Sequence, residues 1–360
     1  MYVQGAEKHP EVPSHDVTAD WADLSAIPDV KSSWAHSGVV VTSGGELVGF
    51  HAGQLVAFDK DGHVLRVLSQ GLTEGHGITL VRDGEDEYLW ISDPGFVFTY
   101  TADIEDDAMA PMFGKGIRHD GSNPRVVKMT LAGEIRAELP IPSIDPTYAP
   151  GPMGPYCPCG TAVDEERFGG SGDIWVADGY GSSLVHRFDK AGHHLSTLSG
   201  DEGSGRFNCP HAVFIDRRHG KIPELYIADR GNKRVQVFDL EGQYIRTFGE
   251  TFLNSPSGFA QWGDVLVVAE LFARLAALDP EDNLIGYIGA DPDVHAEQGW
   301  PDRPGWPNSL SKDGRAQPAR LPHPDRFNSP HSLAVDADGN LYVSEWLIGG
   351  RYTKLAVRRQ

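Results

Sequence analysis

Three histidines occupy the same place in three similar stretches of the sequence. His76, His211 and His331 begin the stretches HGITLV, HAVFID and HSLAVD, and the last two lie within RFNCPHAVFID and RFNSPHSLAVD. Three imidazoles that converge on one point can bind a divalent transition metal and leave a coordination position open, as catalytic zinc sites do. The sequence therefore predicts a metal site, provided that the fold brings the three stretches together.

The stretches belong to a recurrent unit of four short apolar segments, best seen in HAVFID, ELYIAD, RVQVFD and YIRTFG. Alternation of large with small or polar residues, punctuated by Gly, Asp and Asn, is typical of β-strands. Four strands in every ~40–50 residues are typical of a β-propeller blade. Six units predict an all-β, six-bladed propeller over residues 17–360, after an N-terminal extension over residues 1–16. The sixth unit lacks a fourth strand, and the stretch DVTADWADL is expected to supply it and close the ring. Insertions are expected near residues 101–123 and 291–325.

The first strand of each blade lies nearest the central channel of a propeller, so the residue before it lies at the channel mouth. That position is held by Ser37, His76, Cys159, His211, Ser257 and His331. The histidines fall on blades two, four and six, which are related by roughly threefold symmetry. A histidine at a strand start is commonly a hydrogen-bonded core residue, but the shared position and axis favour metal binding. His36 lies one residue before the equivalent position, and we expect it to have no part in the site.

Composition restricts the classes of partner. The 51 acidic and 31 basic residues give a net charge of -20, which disfavours nucleic acid and anionic membrane surfaces and leaves a small-molecule substrate as the expected partner. No run approaches the ~18 apolar residues that span a bilayer. The chain begins without a basic segment followed by an apolar one, and its three cysteines fit a reducing compartment, so a cytoplasmic location is expected. The sequence makes no prediction of oligomeric state.

Acidic residues end the second strands of several blades, at Asp93, Asp178, Asp229 and Glu345, where they are expected to cap turns. Tyr180 follows one of these acids and Arg230 another. Either side chain has a structural alternative, in packing or in an ion pair between blades. Beside a metal, a tyrosinate can act as general base and an arginine can hold a carboxylate or a developing oxyanion.

The stretches VADGYGSSLVHRFDKAG, RFNCPHAVFID, ADRGNKRVQVFDLEG and SPHSLAVDADGNLYVSE resemble the peptidyl-hydroxyglycine amidating lyases, within the six-bladed NHL-repeat group. The resemblance runs from about residue 37 to the C-terminus. It implies zinc at His76, His211 and His331, Tyr180 as the catalytic base, and Arg230 as a substrate or transition-state contact. It also implies a calcium ion on the propeller axis, held mainly by backbone carbonyls. The family reaction cleaves an N-acyl carbinolamine into an amide and glyoxylate.

Two positions depart from the family pattern. The family has an arginine in a Phe-His-Arg-Gly stretch where this chain has Ala52, and a methionine where this chain has Ser329. Both positions are expected to contact the substrate, and the loss of an anion-binding arginine argues for a substrate other than peptidyl-hydroxyglycine.

The leading hypothesis is a zinc-dependent lyase acting on a small hydroxylated molecule. A hydrolase or hydratase on the same three-histidine site and a non-enzymatic NHL scaffold remain open, as does iron in place of zinc, because three imidazoles suit both metals.

Overall fold

The computed structural model describes residues 11–69, 71–101, 111, 114–121, 123–218, 222–291, 309–319 and 323–358. The strands, in chain order, are β1 (His15–Thr18), β2 (Trp34–Ala35), β3 (Val39–Val41), β4 (Leu47–His51), β5 (Gln54–Phe58), β6 (Val64–Ser69), β7 (Gly77–Asp83), β8 (Asp86–Asp93), β9 (Val97–Tyr100), β10 (Ile117–Asp120), β11 (Arg125–Thr130), β12 (Ile135–Glu138), β13 (Gly160–Val163), β14 (Ile174–Asp178), β15 (Leu184–Phe188), β16 (His194–Leu198), β17 (Pro210–Asp216), β18 (Glu224–Asp229), β19 (Arg234–Phe238), β20 (Tyr244–Phe248), β21 (Pro256–Trp262), β22 (Val265–Glu270), β23 (Arg274–Leu278), β24 (Leu284–Ile288), β25 (Ser309–Leu310), β26 (Ala316–Gln317), β27 (Pro330–Val335), β28 (Leu341–Glu345), β29 (Leu347–Ile348) and β30 (Arg351–Val357). Short 3₁₀ turns occur at Leu24–Ala26, Glu166–Phe168 and Arg230–Asn232.

Six four-stranded antiparallel sheets form the blades of a propeller, as the repeat predicts. Their strand orders are β3-β4-β5-β6, β7-β8-β11-β12, β13-β14-β15-β16, β17-β18-β19-β20, β21-β22-β23-β24 and β27-β28-β30-β1. The outer strand of the sixth blade is therefore N-terminal: β1 pairs with β30, with His15 opposite Val357. This confirms closure of the ring by an N-terminal strand, which covers an edge that would otherwise be open. The strand begins at His15, two residues before the predicted start of the propeller.

The blades are held together by apolar clusters between neighbouring sheets. Successive side chains of a strand point to opposite faces, so each blade packs on both neighbours. In β14, Trp175 and Ala177 pack with residues of blade four, whereas Ile174 and Val176 pack with residues of blade two. All four side chains are fully buried. This alternation packs the blades around one axis, on which the first strands line a cavity of about 350 Å³.

Short additional strands lie beside one end of the propeller. β9 pairs with β10, β2 with β29, and β25 with β26. They contribute to an apolar cluster that includes Trp34, Phe96, Phe98, Ile117 and Ile348. The hairpin of β9 and β10 lies at the predicted insertion near 101–123, most of which falls outside the described residues, as does much of the predicted 291–325 loop. None of the helices in the described part of the chain is long and apolar enough to cross a membrane.

Candidate metal centre

The three histidines predicted from the repeat meet at the axis of the propeller. The ring centroids of His76, His211 and His331 are 4.7 to 5.0 Å apart in each pair. Nε2 of His331 lies 3.2 Å from Nε2 of His76. All three side chains are buried, and they lie at one end of the axial cavity. Segments far apart in the sequence thus present three imidazoles to one point.

Irregular pairing at the start of the first strands sets the direction of two of these rings. The register of β17 with β18 shifts between Pro210 and Ala212, and that of β27 with β28 shifts between Pro330 and Ser332. His211 and His331 are therefore the extra residues of β-bulges, which can re-aim a side chain. Ser257 of blade five occupies the same kind of bulge. Each of these three strands begins with a proline, and the residue after the proline is the bulged one.

The intervening blades hold the imidazoles through their backbone. Nδ1 of His76 donates to the carbonyl oxygen of Cys159 over 2.6 Å, and Nδ1 of His211 donates to that of Ser257 over 2.7 Å. Burial lowers the pKa of His331, and the backbone of Ser37 opposes part of that fall, although Nδ1 of His331 makes no hydrogen bond of regular geometry. The non-histidine positions at the channel mouth therefore orient the histidines of their neighbours, a function that sequence analysis missed.

The acids that end the second strands hold the segments that lead into the first strands. Asp229 accepts a hydrogen bond from the backbone N–H of Asn208 over 2.8 Å. Glu345 does the same for Asn328 over 2.7 Å, and Asp93 for Thr73 over 2.7 Å. Each bonded segment lies two or three residues before a channel histidine. These carboxylates thus position the site as well as capping turns.

The cluster favours neutral imidazoles. Burial, the nearby Arg230 guanidinium and the neighbouring imidazoles hold the pKa of His76, His211 and His331 well below the usual value. A neutral imidazole carries one proton and one lone pair. A carbonyl oxygen only accepts, so Nδ1 of His76 and Nδ1 of His211 carry the protons, and their Nε2 lone pairs are free to bind.

Tyr180 lies between two of these lone pairs. Its hydroxyl oxygen is 3.0 Å from Nε2 of His76 and 3.0 Å from Nε2 of His211. A phenol has one hydrogen to donate, so it can satisfy only one of the two nitrogens. Burial raises the pKa of Tyr180 and the Arg230 guanidinium opposes that rise. The other nitrogen has a second neighbour, because Nε2 of His331 lies 3.2 Å from Nε2 of His76. Nδ1 of His331 makes no hydrogen bond, so the His331 proton can lie on Nε2 and be donated to His76, a place that a bound cation would take instead.

Arg230 begins the 3₁₀ turn after β18. Its guanidinium carbon lies 5.4 Å from the Tyr180 ring centroid, and Nη2 lies 3.2 Å from the Cys209 sulfur. No carboxylate among the described residues forms an ion pair with it. An unpaired cation beside a phenol favours the phenolate and attracts anionic groups. The sequence predicts both residues near the metal, and the structure places Tyr180 beside His76 and His211, with Arg230 beside Tyr180.

Ala52 and Ser329 depart from the family pattern at positions expected to contact the substrate. Ala52 lies with Gly53 in the turn between β4 and β5, and has a φ of 49°. Ser329 is fully buried, and its hydroxyl donates to the carbonyl oxygen of Trp346 over 2.8 Å. Trp346 packs against His36, with ring centroids 5.6 Å apart. The predicted substrate contacts of Ala52 and Ser329 remain predictions.

His36 belongs to the cluster, contrary to the expectation that it has no part in the site. His36, His76 and His331 each offer a ligand atom within 4.8 Å of the others. The ring of His36 packs edge-on against His76 at 4.5 Å and lies 5.3 Å from His331. Glu74 is buried on its other side, with 3.9 Å between Oε2 and Nδ1 of His36. The repeat pattern did not predict His36 as a ligand, because His36 lies one residue before the position that the other histidines share.

The donor set fits a divalent transition metal. Buried neutral imidazoles are ligands that zinc and iron share, and Nε2 of His76 and Nε2 of His331 lie only 3.2 Å apart, as two ligands of one ion do. The calcium ion that the family resemblance implies would be held by backbone carbonyls, which are oxygen ligands that calcium accepts, and it stays a prediction.

No protein-family model matches the sequence. Among curated proteins, NHL repeat-containing protein 3 of Homo sapiens is 28% identical over 239 residues, which are 62% of this chain and 58% of that protein. Peptidyl-alpha-hydroxyglycine alpha-amidating lyase 2 of Drosophila melanogaster is 26% identical over 189 residues, 49% of this chain and 37% of that protein. The chain thus spans less than two thirds of the length of these relatives. The resemblance to both groups is confirmed at modest identity.

Solved structures share the fold. The streptogramin B lyase structure superposes with a TM-score of 0.54 and 13% identity, over 96% of this chain and 98% of that chain. A Bacteroides thetaiotaomicron protein of unknown function has a TM-score of 0.56 and 14% identity, over 96% and 77%. At such identities the likeness concerns the propeller fold alone.

Proposed function

We propose that the protein is a metal-dependent lyase that cleaves the C–N bond of a small carbinolamine-type substrate. The observation that carries the proposal is the Tyr180 hydroxyl, 3.0 Å from Nε2 of both His76 and His211. A potential base therefore lies directly beside neutral donors that suit a metal. The similarity to amidating lyases supports the reaction class, and zinc is the proposed metal.

His76, His211 and His331 would hold the metal, which supplies Lewis acidity at a substrate hydroxyl. Tyr180, as the phenolate, takes the proton of that hydroxyl. The O–H electron pair forms the C=O bond of an aldehyde or oxo acid, and the C–N bond breaks with its electron pair moving to nitrogen. Tyr180 then returns the proton to nitrogen, which leaves as an amide. Every atom of the substrate is retained in the two products, and no water is consumed.

Arg230 has two parts in this mechanism. Burial raises the pKa of Tyr180, and the positive charge of Arg230 beside the phenol opposes only part of that rise, so the bound metal would have to supply the rest of the lowering that makes the phenolate available. The same charge can bind an anionic group of the substrate or of the reacting oxygen. Because Ala52 replaces the family arginine, we propose a substrate that carries less negative charge than peptidyl-hydroxyglycine.

Matched carbinolamines test this proposal. The metal-loaded protein would be assayed with an N-acyl hydroxyglycine and with an N-acyl carbinolamine that lacks the carboxylate, in water enriched in heavy oxygen. A lyase forms the unlabelled amide from either one, faster from the second, and Tyr180→Phe lowers the rate by about 10²–10⁴-fold while retaining metal. An acid product that carries solvent oxygen would instead identify a hydrolase.

A binding scaffold is the second candidate function. It is favoured by the similarity to NHL repeat-containing protein 3, which extends over 62% of the chain against 49% for the amidating lyase. If the protein is a scaffold, the purified chain should contain far less than one metal ion per molecule and should bind none when zinc, iron or cobalt is added. Elemental analysis of the protein therefore separates the two candidates before any substrate is tested.

A further inference from the structure

His36 is a fourth imidazole at the centre that neither the repeat nor the proposed reaction requires. It is 2% exposed and lies among His76, His331 and the Tyr180 ring, whose centroid is 6.2 Å away in a stacked arrangement. We propose that His36 is an additional ligand of the metal, held in orientation by Glu74. The inference rests on the metal centre of the proposed function and assigns a residue outside the threefold set.

The first support is the position of the donor atoms. His36, His76 and His331 offer ligand atoms within 4.8 Å of one another, and His76 and His331 are already 3.2 Å apart at Nε2. The edge-on contact of His36 with His76, at an interplanar angle of 84°, resembles the mutual tilt of the three predicted ligands, which ranges from 71° to 89°. His36 lies 5.3 Å from His331 at an interplanar angle of 45°, so it adds a nitrogen on the side of the set formed by His76 and His331, and a fourth imidazole suits zinc.

The second support is the surroundings of Nδ1. This atom is buried and makes no hydrogen bond, yet Oε2 of Glu74 lies 3.9 Å away, and the Glu74 side chain is 3% exposed. Metal-bound histidines commonly turn their second nitrogen towards a carboxylate, which fixes the ring and strengthens the ligand. With Nδ1 on the side of Glu74, Nε2 is the nitrogen left for the metal.

A fourth imidazole changes what the centre can do. Four protein ligands form a closed set at rest, and the substrate must then enter by expansion to five ligands or by release of one imidazole. We expect His36 to be the imidazole that is released. The other three histidines hold the shared position at the channel mouth, whereas His36 lies one residue before it. Soft and borderline metals that accept four nitrogens are favoured over calcium or magnesium.

The chain offers a matched control for His36. His186 is also fully buried and also lies 3.9 Å from a carboxylate oxygen, that of Asp178. It lies in β15 and makes a hydrogen bond to Thr197. The variants His36→Gln and His186→Gln therefore remove the same chemical group from similar surroundings, and only the first removes it from the cluster.

Zinc alone is the probe. X-ray absorption of the zinc-loaded full chain is expected to show four imidazoles, falling to three in His36→Gln and remaining four in His186→Gln. Glu74→Gln is expected to weaken zinc binding by about 10- to 100-fold, and His36→Gln by more than that. A wild-type centre with three imidazoles, or equal zinc affinity in His36→Gln and His186→Gln, overturns the inference.

The wild-type spectrum alone decides the matter if the His36 variant does not fold. A three-imidazole centre with retained lyase activity overturns the role of His36 and leaves the proposed function standing. A wild-type protein that binds no zinc overturns both. Four imidazoles without lyase activity support the ligand and count against the reaction.

Discussion

Nε2 of His76 lies 3.2 Å from Nε2 of His331, although 255 positions separate the two residues in the chain. Nδ1 of His76 donates a hydrogen bond to the carbonyl oxygen of Cys159, so Nε2 of His76 presents a lone pair. That lone pair faces the Tyr180 hydroxyl as well as His331. Donor atoms gathered in this way, in a site that disfavours protonated imidazole, would be stabilised by a shared cation.

Removal of the His211 imidazole is expected to weaken metal binding. His211→Ala leaves His76 and His331, with His36 beside them, and should lower the metal retained through gel filtration to well below one ion per chain. Elemental analysis after gel filtration measures the number of metal ions per chain. The exposed His63, which pairs with Asp59 at the surface, gives the control His63→Ala, in which the metal should be retained. Full metal content in His211→Ala would contradict the assignment.

Much of the fold and part of the centre could be predicted from the sequence. The strand alternation and the repeat placed six blades, the ring closure and the positions of His76, His211 and His331, because these depend on a period that the chain displays. His36 and Glu74 were missed, because they lie one and two residues outside the repeated position. The orienting carbonyls of Cys159 and Ser257 carry no side-chain signature, so only the backbone geometry shows them.

The pH dependence of activity should report the charge of Arg230. A phenolate base makes kcat/KM rise as pH rises through the pKa of Tyr180. Burial holds that pKa above its usual value and Arg230 opposes part of the rise, so kcat/KM should still be increasing at alkaline pH, and Arg230→Gln should move the rising limb to still higher pH. The exposed Arg206, ion-paired with Asp201, provides the control Arg206→Gln with an unshifted profile. A limb that stays in place in Arg230→Gln would mean that Tyr180 does not titrate in the reaction.

A buried ion-pair network between blades four and five should be important for stability. Arg218 is 1% exposed and donates to Asp216 over 2.8 Å and to Asp282 over 3.0 Å. Arg218→Ala leaves buried carboxylates without this partner, so a loss of about 3–5 kcal/mol in the free energy of unfolding is expected. Arg206→Ala breaks an exposed pair and should cost about 1 kcal/mol or less. Chemical denaturation measures both, and equal losses would contradict the distinction.

Backbone strain at Ala52 gives a prediction about the turn between β4 and β5. Ala52 has a φ of 49°, a left-handed conformation that costs a residue with a Cβ about 1–2 kcal/mol. Ala52→Gly removes this strain but adds freedom to the unfolded chain, worth about 0.5–1 kcal/mol. The net expectation is a stabilisation of about 0–1.5 kcal/mol. Ala57, buried in β5, is outside the left-handed region, so Ala57→Gly should destabilise. Denaturation midpoints compare the two variants. If Ala52→Gly also destabilises, the Ala52 methyl group makes packing contacts that outweigh the strain. Ala52 would then have a structural role in this turn.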